Sequence, residues 1–307
     1  MRSTTPSAAT RPADDAAAGV VLAGLVGRGI QGSRSPGLHM QEAAAQGFKL
    51  SYTLFDLDAP PWDRAGLADA IDGAEARGLA GVNVTYPFKQ DVIALLHELS
   101  PDAERLGAVN TVIFQSGRRI GHNTDWSGFA ESLARGLPGC PKRQVVQLGA
   151  GGAGSAVSYA LLHEGVERLI LFDTDRVRAA DLVAKLQDIF GAGRSAVGEH
   201  LPQALAVADG LVNTTPVGMA KHPGTPAPAG LLRPELWVAD IVYVPIETEL
   251  LVAARARGCR VLDGGGMAVF QAADAFRLFT GREPDADRMR AGFLRAVAEG
   301  TAPNIHE

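Results

Sequence analysis

Three glycines at GxGxxG spacing follow an apolar run that predicts a β-strand. They are Gly149, Gly151 and Gly154, and the run before them is Val145 to Leu148. In this context the first glycine permits a tight turn, the second lets the backbone approach a pyrophosphate, and the third lets helix and strand pack closely. The N-terminus of the following helix supplies free N–H groups. The alternative is a glycine-rich turn without a ligand, but the context favours a dinucleotide-binding loop of Gly149, Ala150, Gly151, Gly152, Ala153 and Gly154.

An acidic residue, Asp173, ends the next predicted strand. A carboxylate at that place accepts hydrogen bonds from the 2′-hydroxyl of an adenosine ribose. A 2′-phosphate would instead meet like charge, and Thr174 offers no guanidinium to neutralise it. Arg176 and Arg178 would weaken this argument if either turned inward, but side chains on the following helix are more often solvated. The sequence therefore favours NAD over NADP as the cofactor.

Polar residues also mark the ends of predicted strands in the first half of the chain. They lie in the segments 32–39, 83–89, 107–111 and 121–125. In an open α/β sheet, ligands bind at the carboxyl ends of the strands. The hydroxyls of Ser33 and Ser35, just ahead of Pro36, either cap a helix or hold a substrate carboxylate at its N-terminus.

Lys89 and Asp125, each in one of these segments, are a pair that could move a proton. Oxidising a secondary alcohol needs a base for the hydroxyl proton, and a lysine beside a carboxylate in a closing cleft can shuttle it. A surface salt bridge is the alternative for such a pair. No metal is required, because the hydride passes to a nicotinamide.

The elements that must position these residues alternate between strands and helices from Gly19 onward. The first unit predicts strands at 20–26, 52–57, 82–85, 110–114 and 119–121, with helices after Pro36, at 64–77 and from Lys89. Ser116 and Gly117 predict a hairpin turn, and a domain boundary follows near Asp125. Residues 1–17 show no periodicity and predict a flexible tail.

The second unit repeats the alternation and predicts a doubly wound α/β domain. Its predicted strands are 144–148, 169–172, 210–213, 237–241 and 261–262, and its helices are 154–163, 176–190 and 249–257. Two further helices are predicted at 267–280 and 285–299. The fold class is therefore α/β.

Composition limits the classes of partner. The chain has 307 residues, 46% of them hydrophobic, and a net charge of −5, so it has no basic field to hold a polyanion and nucleic acid is not expected. No apolar run is long enough to cross a bilayer and the first residues lack a secretory apolar segment, so we expect no membrane partner and a cytoplasmic protein. The two cysteines, Cys140 and Cys259, lie far apart in the sequence, and we expect both to be ordinary reduced thiols. The oligomeric state is left open, with a homodimer among the alternatives.

Seven ordered segments resemble the shikimate dehydrogenase family across residues 20 to 300. They are an SxSP segment at 33–36, NVTxPxK at 83–89, GAVNT at 107–111, NTDxxGF at 123–129, GAGGAG at 149–154, NxTPxGM at 213–219 and DGxxMxxxQ at 263–271. The resemblance implies a substrate domain with a mixed, mostly parallel sheet, formed by residues 18–124 and 268–307. It also implies a Rossmann domain at 125–267, with a cleft where the two domains meet.

The resemblance also implies roles for individual residues. Lys89 and Asp125 look like the catalytic pair, and Ser33 and Ser35 look like the hydroxyls that bind the substrate carboxylate. The remaining substrate contacts that it implies are Thr85, Asn110, Tyr243 and Gln271, and the further cofactor contacts are Thr215 and Gly264.

Departures from the family pattern favour one branch of it. Asp173 and Thr174 replace the Asn-Arg pair of NADP-using relatives, Gly32 stands where many relatives carry histidine, and Trp126 follows Asp125 where they often have glycine. These features resemble the NAD-linked quinate/shikimate dehydrogenases. The expected substrate is shikimate; a quinate or aminoshikimate dehydrogenase, and a non-catalytic regulator that binds shikimate or NAD, are the alternatives.

Overall fold

Two six-stranded sheets, each packed against helices, form the core of the computed structural model, which describes residues 19–299. The tail predicted at residues 1–17 lies outside the described residues. The strands are Val21–Gly27 (β1), Leu50–Asp56 (β2), Gly81–Val84 (β3), Glu98–Leu99 (β4), Thr111–Gln115 (β5), Arg118–His122 (β6), Gln144–Leu148 (β7), Arg168–Phe172 (β8), Ser195–Val197 (β9), Gly210–Asn213 (β10), Trp237–Asp240 (β11) and Val261–Leu262 (β12). The helices are Ser35–Ala45 (α1), Leu67–Ala76 (α2), Pro101–Leu106 (α3), Asp125–Gly136 (α4), Gly152–His163 (α5), Arg176–Phe190 (α6), Leu201–Ala206 (α7), Glu249–Ala256 (α8), Gly265–Thr280 (α9) and Ala286–Ala298 (α10).

The first sheet is mixed, in the order β2-β1-β3-β5-β6-β4. Strand β1 pairs in parallel with β2 and β3, whereas β5 is antiparallel to both β3 and β6. The hairpin between β5 and β6 turns at Ser116 and Gly117, whose φ angles of 52° and 71° suit the primed turns that connect twisted antiparallel strands. The predicted mixed sheet and the predicted hairpin are both confirmed.

The second sheet is entirely parallel, in the order β12-β11-β10-β7-β8-β9. This is the Rossmann order. The chain adds strands outward from β7 in one direction, through β8 to β9, and then in the other, through β10 to β12, so the topological switch point lies between β7 and β10. The strands are nearly continuous apolar runs because helices cover both faces; Val145, Val146 and Leu148 of β7 are all buried. The α/β fold class is confirmed.

Several short elements differ from the sequence prediction. The helix expected from Lys89 is only a short 3-10 helix, Asp91–Leu95, and Leu96 after it is extended. Pro101 holds Ser100 in extended backbone as well, so helix α3 begins only there. The elements that the prediction did not include are β4, α3, α4, β9 and α7.

The predicted domain limits, 18–124 with 268–307 and 125–267, stay a prediction. Helix α4 begins at Asp125, the first of these limits, and α9 runs without a break through the second. The two helices pack against each other along their length, with Gly128 of α4 against Gln271 of α9 and Gly266 of α9 against Ser132 of α4. Within residues 19–299, no helix combines the length and the apolar character that crossing a membrane requires.

Candidate active site

A cavity of about 780 Å³ lies at the carboxyl ends of the strands, with walls from both sheets. The predicted substrate and catalytic residues that line it are Ser33, Ser35, Thr85, Lys89, Asn110, Asp125, Tyr243 and Gln271. The predicted cofactor residues that line it are Gly151, Gly152, Ala153, Thr215 and Gly264. The other predicted cofactor residues, Gly149, Ala150, Gly154 and Asp173, are not among the residues that line it. The structure thus brings groups from distant segments into one cleft.

Lys89 and Asp125 form an ion pair inside the cavity. Lys89 Nζ lies 2.6 Å from Asp125 Oδ2, and the side chains are 22% and 11% exposed. Asp125 is the first residue of α4, where its backbone N–H donates to Asn123 Oδ1 at 3.1 Å. The backbone of Lys89 is anchored as well, because its carbonyl oxygen accepts a hydrogen bond from Val109 N at 2.7 Å. This is a partly buried, anchored pair that faces the cleft, rather than the surface salt bridge that was the alternative.

The two serines are placed by a loop that Asp56 anchors. Asp56 accepts hydrogen bonds from Gly29 N at 2.8 Å, Ile30 N at 3.0 Å and Gln31 Nε2 at 3.0 Å. Burial works to raise the pKa of Asp56, but these donors and the Asp58 N–H outweigh it, so the pKa lies below its usual range and the carboxylate stays ionised. The sequence analysis missed Asp56, which has no motif around it.

Helix α1 begins at Ser35 with Pro36 in its first turn. Ser33 Oγ accepts from Ser35 N at 3.3 Å, and Arg34, the N-cap residue, makes no side-chain capping bond. The Ser33 hydroxyl therefore stands beside an N–H group of the first helical turn, and the N–H groups of that turn favour an anion. The two interpretations of the serines, helix capping and carboxylate binding, predict the same geometry. Arg34 provides no side-chain cap, and a ligand carboxylate would accept hydrogen bonds from the same N–H groups of the first turn.

The glycine loop has the shape that a dinucleotide requires. Gly149 has a φ of +100°, and a Cβ there would lie 2.8 Å from Thr214 Oγ1. A Cβ on Gly154 would lie 2.5 Å from the carbonyl oxygen of Gly149, so these two glycines serve close packing. A Cβ on Gly151 would instead meet no atom within 4 Å in the described part of the chain, on the side that lines the cavity. The loop therefore leaves its backbone free to approach a pyrophosphate, which fits a bound dinucleotide.

Asp173 joins this loop to the end of β8. Its carboxylate accepts from Ala150 N at 2.7 Å and from Asp175 N at 2.8 Å. Burial works to raise the pKa of Asp173, but the two N–H donors, Arg178 and Thr174 together lower it. Arg178 lies 3.8 Å from Asp173 and 3.4 Å from Asp175, and its side chain is exposed. Asp173 thus presents a fixed negative charge at the place expected for the ribose.

Thr215 is positioned by buried polar groups at the ends of β10 and β11. Asn213 Oδ1 accepts from the Thr215 backbone N–H at 3.0 Å and from its hydroxyl at 2.7 Å. Asn213 Nδ2 in turn donates to Asp240 Oδ1 at 2.9 Å. Burial raises the pKa of Asp240, although donors from Val242, Thr248 and Asn213 oppose the rise.

Other residues line the cavity that the sequence analysis did not name as site residues. They include Arg34, Asn83, Thr214, Met219 and Met267. Each lies inside one of the segments that carried the resemblance, so its position in a motif was a signal that could have found it. Arg34 lies between the two serines and donates to Ala296 O at 3.0 Å, which ties their loop to α10.

Gln271 reaches the cavity because α4 and α9 cross closely at a glycine. A Cβ on Gly128 of α4 would lie 2.6 Å from the backbone nitrogen of Gln271 and 2.9 Å from its Cβ. Since these are backbone and Cβ atoms rather than the far end of a flexible side chain, they cannot move without moving the helix. Gly128 therefore fixes the distance between Asp125, one turn before it, and Gln271.

Replacing Gly128 with alanine is expected to destabilise the protein by about 1 to 3 kcal/mol, because the methyl group forces the two helices apart. This cost exceeds the roughly 1 kcal/mol that alanine gains over glycine within a helix. Urea unfolding of the variant and the wild type measures this difference in the free energy of unfolding. Gly292→Ala is the matched control, since the added methyl group there meets the flexible ends of Gln41, at 2.8 Å, and Arg295, at 3.8 Å, rather than backbone. Equal stability of the two variants would show that the helix crossing does not limit this site.

A Rossmann sheet, a glycine loop with a carboxylate after the next strand, and a polar cleft shared with a second sheet define an oxidoreductase that uses a nicotinamide dinucleotide. Comparison with known proteins identifies the family. Residues 25–112 match the model of the shikimate dehydrogenase substrate binding domain, and residues 264–291 match that of the shikimate 5′-dehydrogenase C-terminal domain. The chain belongs to the shikimate dehydrogenase family, as the sequence resemblance predicted.

Similar proteins differ in the cofactor that their names carry. The chain is 54% identical over 287 residues to a shikimate dehydrogenase (NADP(+)) of Streptomyces avermitilis, covering 93% of this chain and 98% of that protein. It is 48% identical over 279 residues to a quinate/shikimate dehydrogenase (NAD(+)) of Corynebacterium efficiens, covering 89% and 98%. Among solved structures, the quinate dehydrogenase of Corynebacterium glutamicum in complex with NAD matches with a TM-score of 0.88 and 46% identity, covering 90% and 99%. The predicted enzyme class is confirmed.

Proposed function

We propose that this chain is an NAD-dependent dehydrogenase that interconverts shikimate and 3-dehydroshikimate. The observation that carries the proposal is the Lys89–Asp125 pair, 2.6 Å apart, in a cavity that the glycine loop also lines. The proposal assigns substrate binding to residues 18–124 and 268–307 and cofactor binding to residues 125–267. A bound nicotinamide would exchange a hydride with the substrate carbon.

The residues of the substrate side each have a task in this proposal. Ser33 and Ser35 bind the carboxylate at the start of α1, and the ring hydroxyls contact Thr85, Asn110, Tyr243 and Gln271. In oxidation, the hydroxyl proton passes to the Lys89–Asp125 pair as the hydride leaves the carbon, and Asp125 stabilises the Lys89 ammonium by its charge. In reduction, the same ammonium gives the proton to the carbonyl oxygen.

NAD is proposed over NADP because of the charges around the ribose position. Asp173 is held by two backbone N–H groups and Thr174 carries no charge, so a 2′-phosphate would face a fixed carboxylate. The Arg178 guanidinium already pairs with Asp175 and Asp173. The names of similar proteins divide between the two cofactors, so this preference depends on these residues.

Shikimate is expected to exceed quinate in kcat/KM by about 5- to 150-fold. C1 is planar in shikimate and tetrahedral in quinate, where an additional hydroxyl needs room and a hydrogen-bond partner beside the carboxylate. Quinate-using relatives often have threonine at the second serine position of the SxS segment, and Ser35 lacks that methyl group. Gly32 opposes this preference, because a Cβ there would meet no described atom within 4 Å and the space admits a water.

Steady-state kinetics with NAD, followed at the NADH absorbance band, test the function and the substrate together. Equal or higher kcat/KM with quinate would reverse the substrate ranking while leaving the dehydrogenase intact. Activity with aminoshikimate alone would assign the chain to that reaction. Binding of shikimate or NAD without turnover of any of the three acids would identify the regulator that is the remaining alternative.

A further inference from the structure

A chain of buried hydrogen bonds runs behind the substrate side of the cavity. The Tyr52 hydroxyl lies 2.7 Å from Asn83 Oδ1, and Asn83 Nδ2 lies 3.0 Å from Thr111 Oγ1. Thr111 Oγ1 lies 3.0 Å from Asn110 Oδ1, and Asn110 Nδ2 lies 3.0 Å from Thr124 Oγ1. Asn83 and Asn110 line the cavity, whereas Tyr52 and Thr111 lie behind it and are 3% and 0% exposed.

Backbone groups fix the direction of every bond in this chain. Thr124 N–H, which can only donate, points at Asn110 Oδ1 at 2.7 Å, so this atom is the amide oxygen, and the Thr124 hydroxyl lies closer to Asn110 Nδ2, at 3.0 Å, than to Oδ1, at 3.3 Å. The carbonyl oxygen of Asn110, which can only accept, lies 3.4 Å from Asn83 Nδ2. Tyr52 therefore donates to Asn83, Asn83 to Thr111, and Thr111 to Asn110. Asn110 Nδ2 keeps one N–H for Thr124 and a second for a ligand in the cavity.

Tyr52 is held in place as a permanent donor. Its ring stacks on His39, with centroids 4.9 Å apart and planes 19° apart. His39 is fully buried, and burial lowers its pKa to about 3, so it stays neutral beside the tyrosine. Burial also raises the pKa of Tyr52, although the neighbouring Ser35 hydroxyl opposes this, and the phenol keeps its proton throughout the neutral range.

We propose that Tyr52 is a positioning residue for the substrate, which through Asn83 and Thr111 holds the Asn110 amide with an N–H toward the cavity. The inference rests on the proposed role of Asn110 as a contact to a ring hydroxyl. Without the phenol, Asn83 Oδ1 is a buried acceptor with no donor, a state that buried amides avoid. Turning the Asn83 amide lets its oxygen take the Thr111 proton, and Asn110 Oδ1 then loses one of the donors that orient it.

Two variants test the proposal. Tyr52→Phe removes the first hydrogen bond of the chain, between Tyr52 and Asn83, and Thr111→Val removes the later bonds made by the Thr111 hydroxyl. Each is expected to lower kcat/KM for shikimate by about tenfold, mainly through a higher KM, and to leave the KM for NAD within about twofold. Thr111→Val keeps the side-chain shape, so it covers the case in which Tyr52→Phe fails to fold. Unchanged kcat/KM in a folded Thr111→Val or Tyr52→Phe variant would overturn the proposal.

A double-mutant cycle with Asn110→Ala separates this proposal from the proposed function. If Asn110 binds substrate, Asn110→Ala alone lowers kcat/KM for shikimate; an unchanged value would mean that the assigned substrate contact is wrong, and the proposal for Tyr52 would fall with it. If Tyr52 acts through Asn110, Tyr52→Phe costs little further activity in the Asn110→Ala background. Fully additive losses would overturn the positioning role while leaving the substrate contact intact.

Tyr159→Phe is the matched control. Tyr159 is another buried tyrosine, 1% exposed, and it donates to Asp102 at 2.7 Å, but it does not line the cavity. This variant is expected to leave the KM for shikimate within about twofold, whatever it does to the melting temperature. A rise in KM as large as that of Tyr52→Phe would show that the loss of any buried tyrosine hydroxyl has this effect, which would overturn the proposal.

Discussion

Replacing Lys89 with alanine is expected to lower kcat by about 10² to 10⁴-fold while KM changes little, the effect of losing a positioned general acid-base. Lys89 Nζ is 2.6 Å from Asp125 and faces the cavity, whereas substrate affinity depends on the hydroxyls and amides around it. The loss should therefore fall on the proton transfer. Steady-state kinetics with shikimate and NAD at neutral pH measure both constants.

Two further variants make this result specific. Asp125→Asn keeps the size of the side chain and removes the charge that stabilises the ammonium, so kcat is expected to fall there too. Lys142→Ala is the control, because Lys142 pairs with Glu164 at 3.8 Å outside the cavity and should leave kcat unchanged. A Lys89→Ala enzyme that retained more than about a third of the wild-type kcat would exclude Lys89 from the proton transfer.

Much of the cleft could be predicted because its residues lie where strands end. Thr85 follows β3 and Gly149 follows β7, and each could be assigned to a strand end from its sequence neighbours alone. Parallel strands place their carboxyl ends at one edge of the sheet, so local information is sufficient to bring such residues together. The hairpin at Ser116 and Gly117 was predictable for the same reason, since two adjacent residues determine it.

The features that the sequence did not reveal depend on contacts between residues that are far apart in the chain. Asp56 has no motif, and its anchoring role appears only when the loop at Gly29 and Ile30 folds back onto it. Gly128 lies within a recognised segment, but its function is set by the approach of Gln271 from α9. Short elements such as α3 were missed because six residues give too little periodicity to recognise.

The cofactor preference turns on a small group of charges at the end of β8. Asp173 is 7% exposed, and its hydrogen bonds to Ala150 N and Asp175 N keep it facing the glycine loop. Its pKa is lowered despite burial, so the carboxylate carries its full charge at neutral pH. Arg178 offsets part of that charge, yet Asp175 lies within 3.4 Å of the same guanidinium and competes for it. The balance at this point stays negative, which favours two ribose hydroxyls over a phosphate.

Arg178→Ala tests whether this arginine already serves a phosphate. Because its guanidinium is paired with carboxylates, its removal is expected to change the ratio of kcat/KM for NADP to that for NAD by no more than about twofold. A large selective loss with NADP would mean that Arg178 leaves Asp175 and turns to the 2′-phosphate. In that case Arg178 would bind the 2′-phosphate, and the charge of Asp173 would no longer be a reason to prefer NAD.

The wild-type protein is expected to use NAD with a kcat/KM at least about tenfold above that for NADP, a difference of about 1.4 kcal/mol. Asp173→Asn together with Thr174→Arg should shift the ratio toward NADP by about 10² to 10³-fold, because it removes the repulsion and adds a guanidinium that can pair with the phosphate. Asparagine keeps the size of Asp173, and its one amide oxygen can accept from either Ala150 N or Asp175 N. The same double substitution should change the KM for shikimate little, since neither residue lines the cavity. Equal use of both cofactors by the wild type would contradict the charge argument, and an unchanged ratio in the double variant would show that cofactor choice is made elsewhere on the loop.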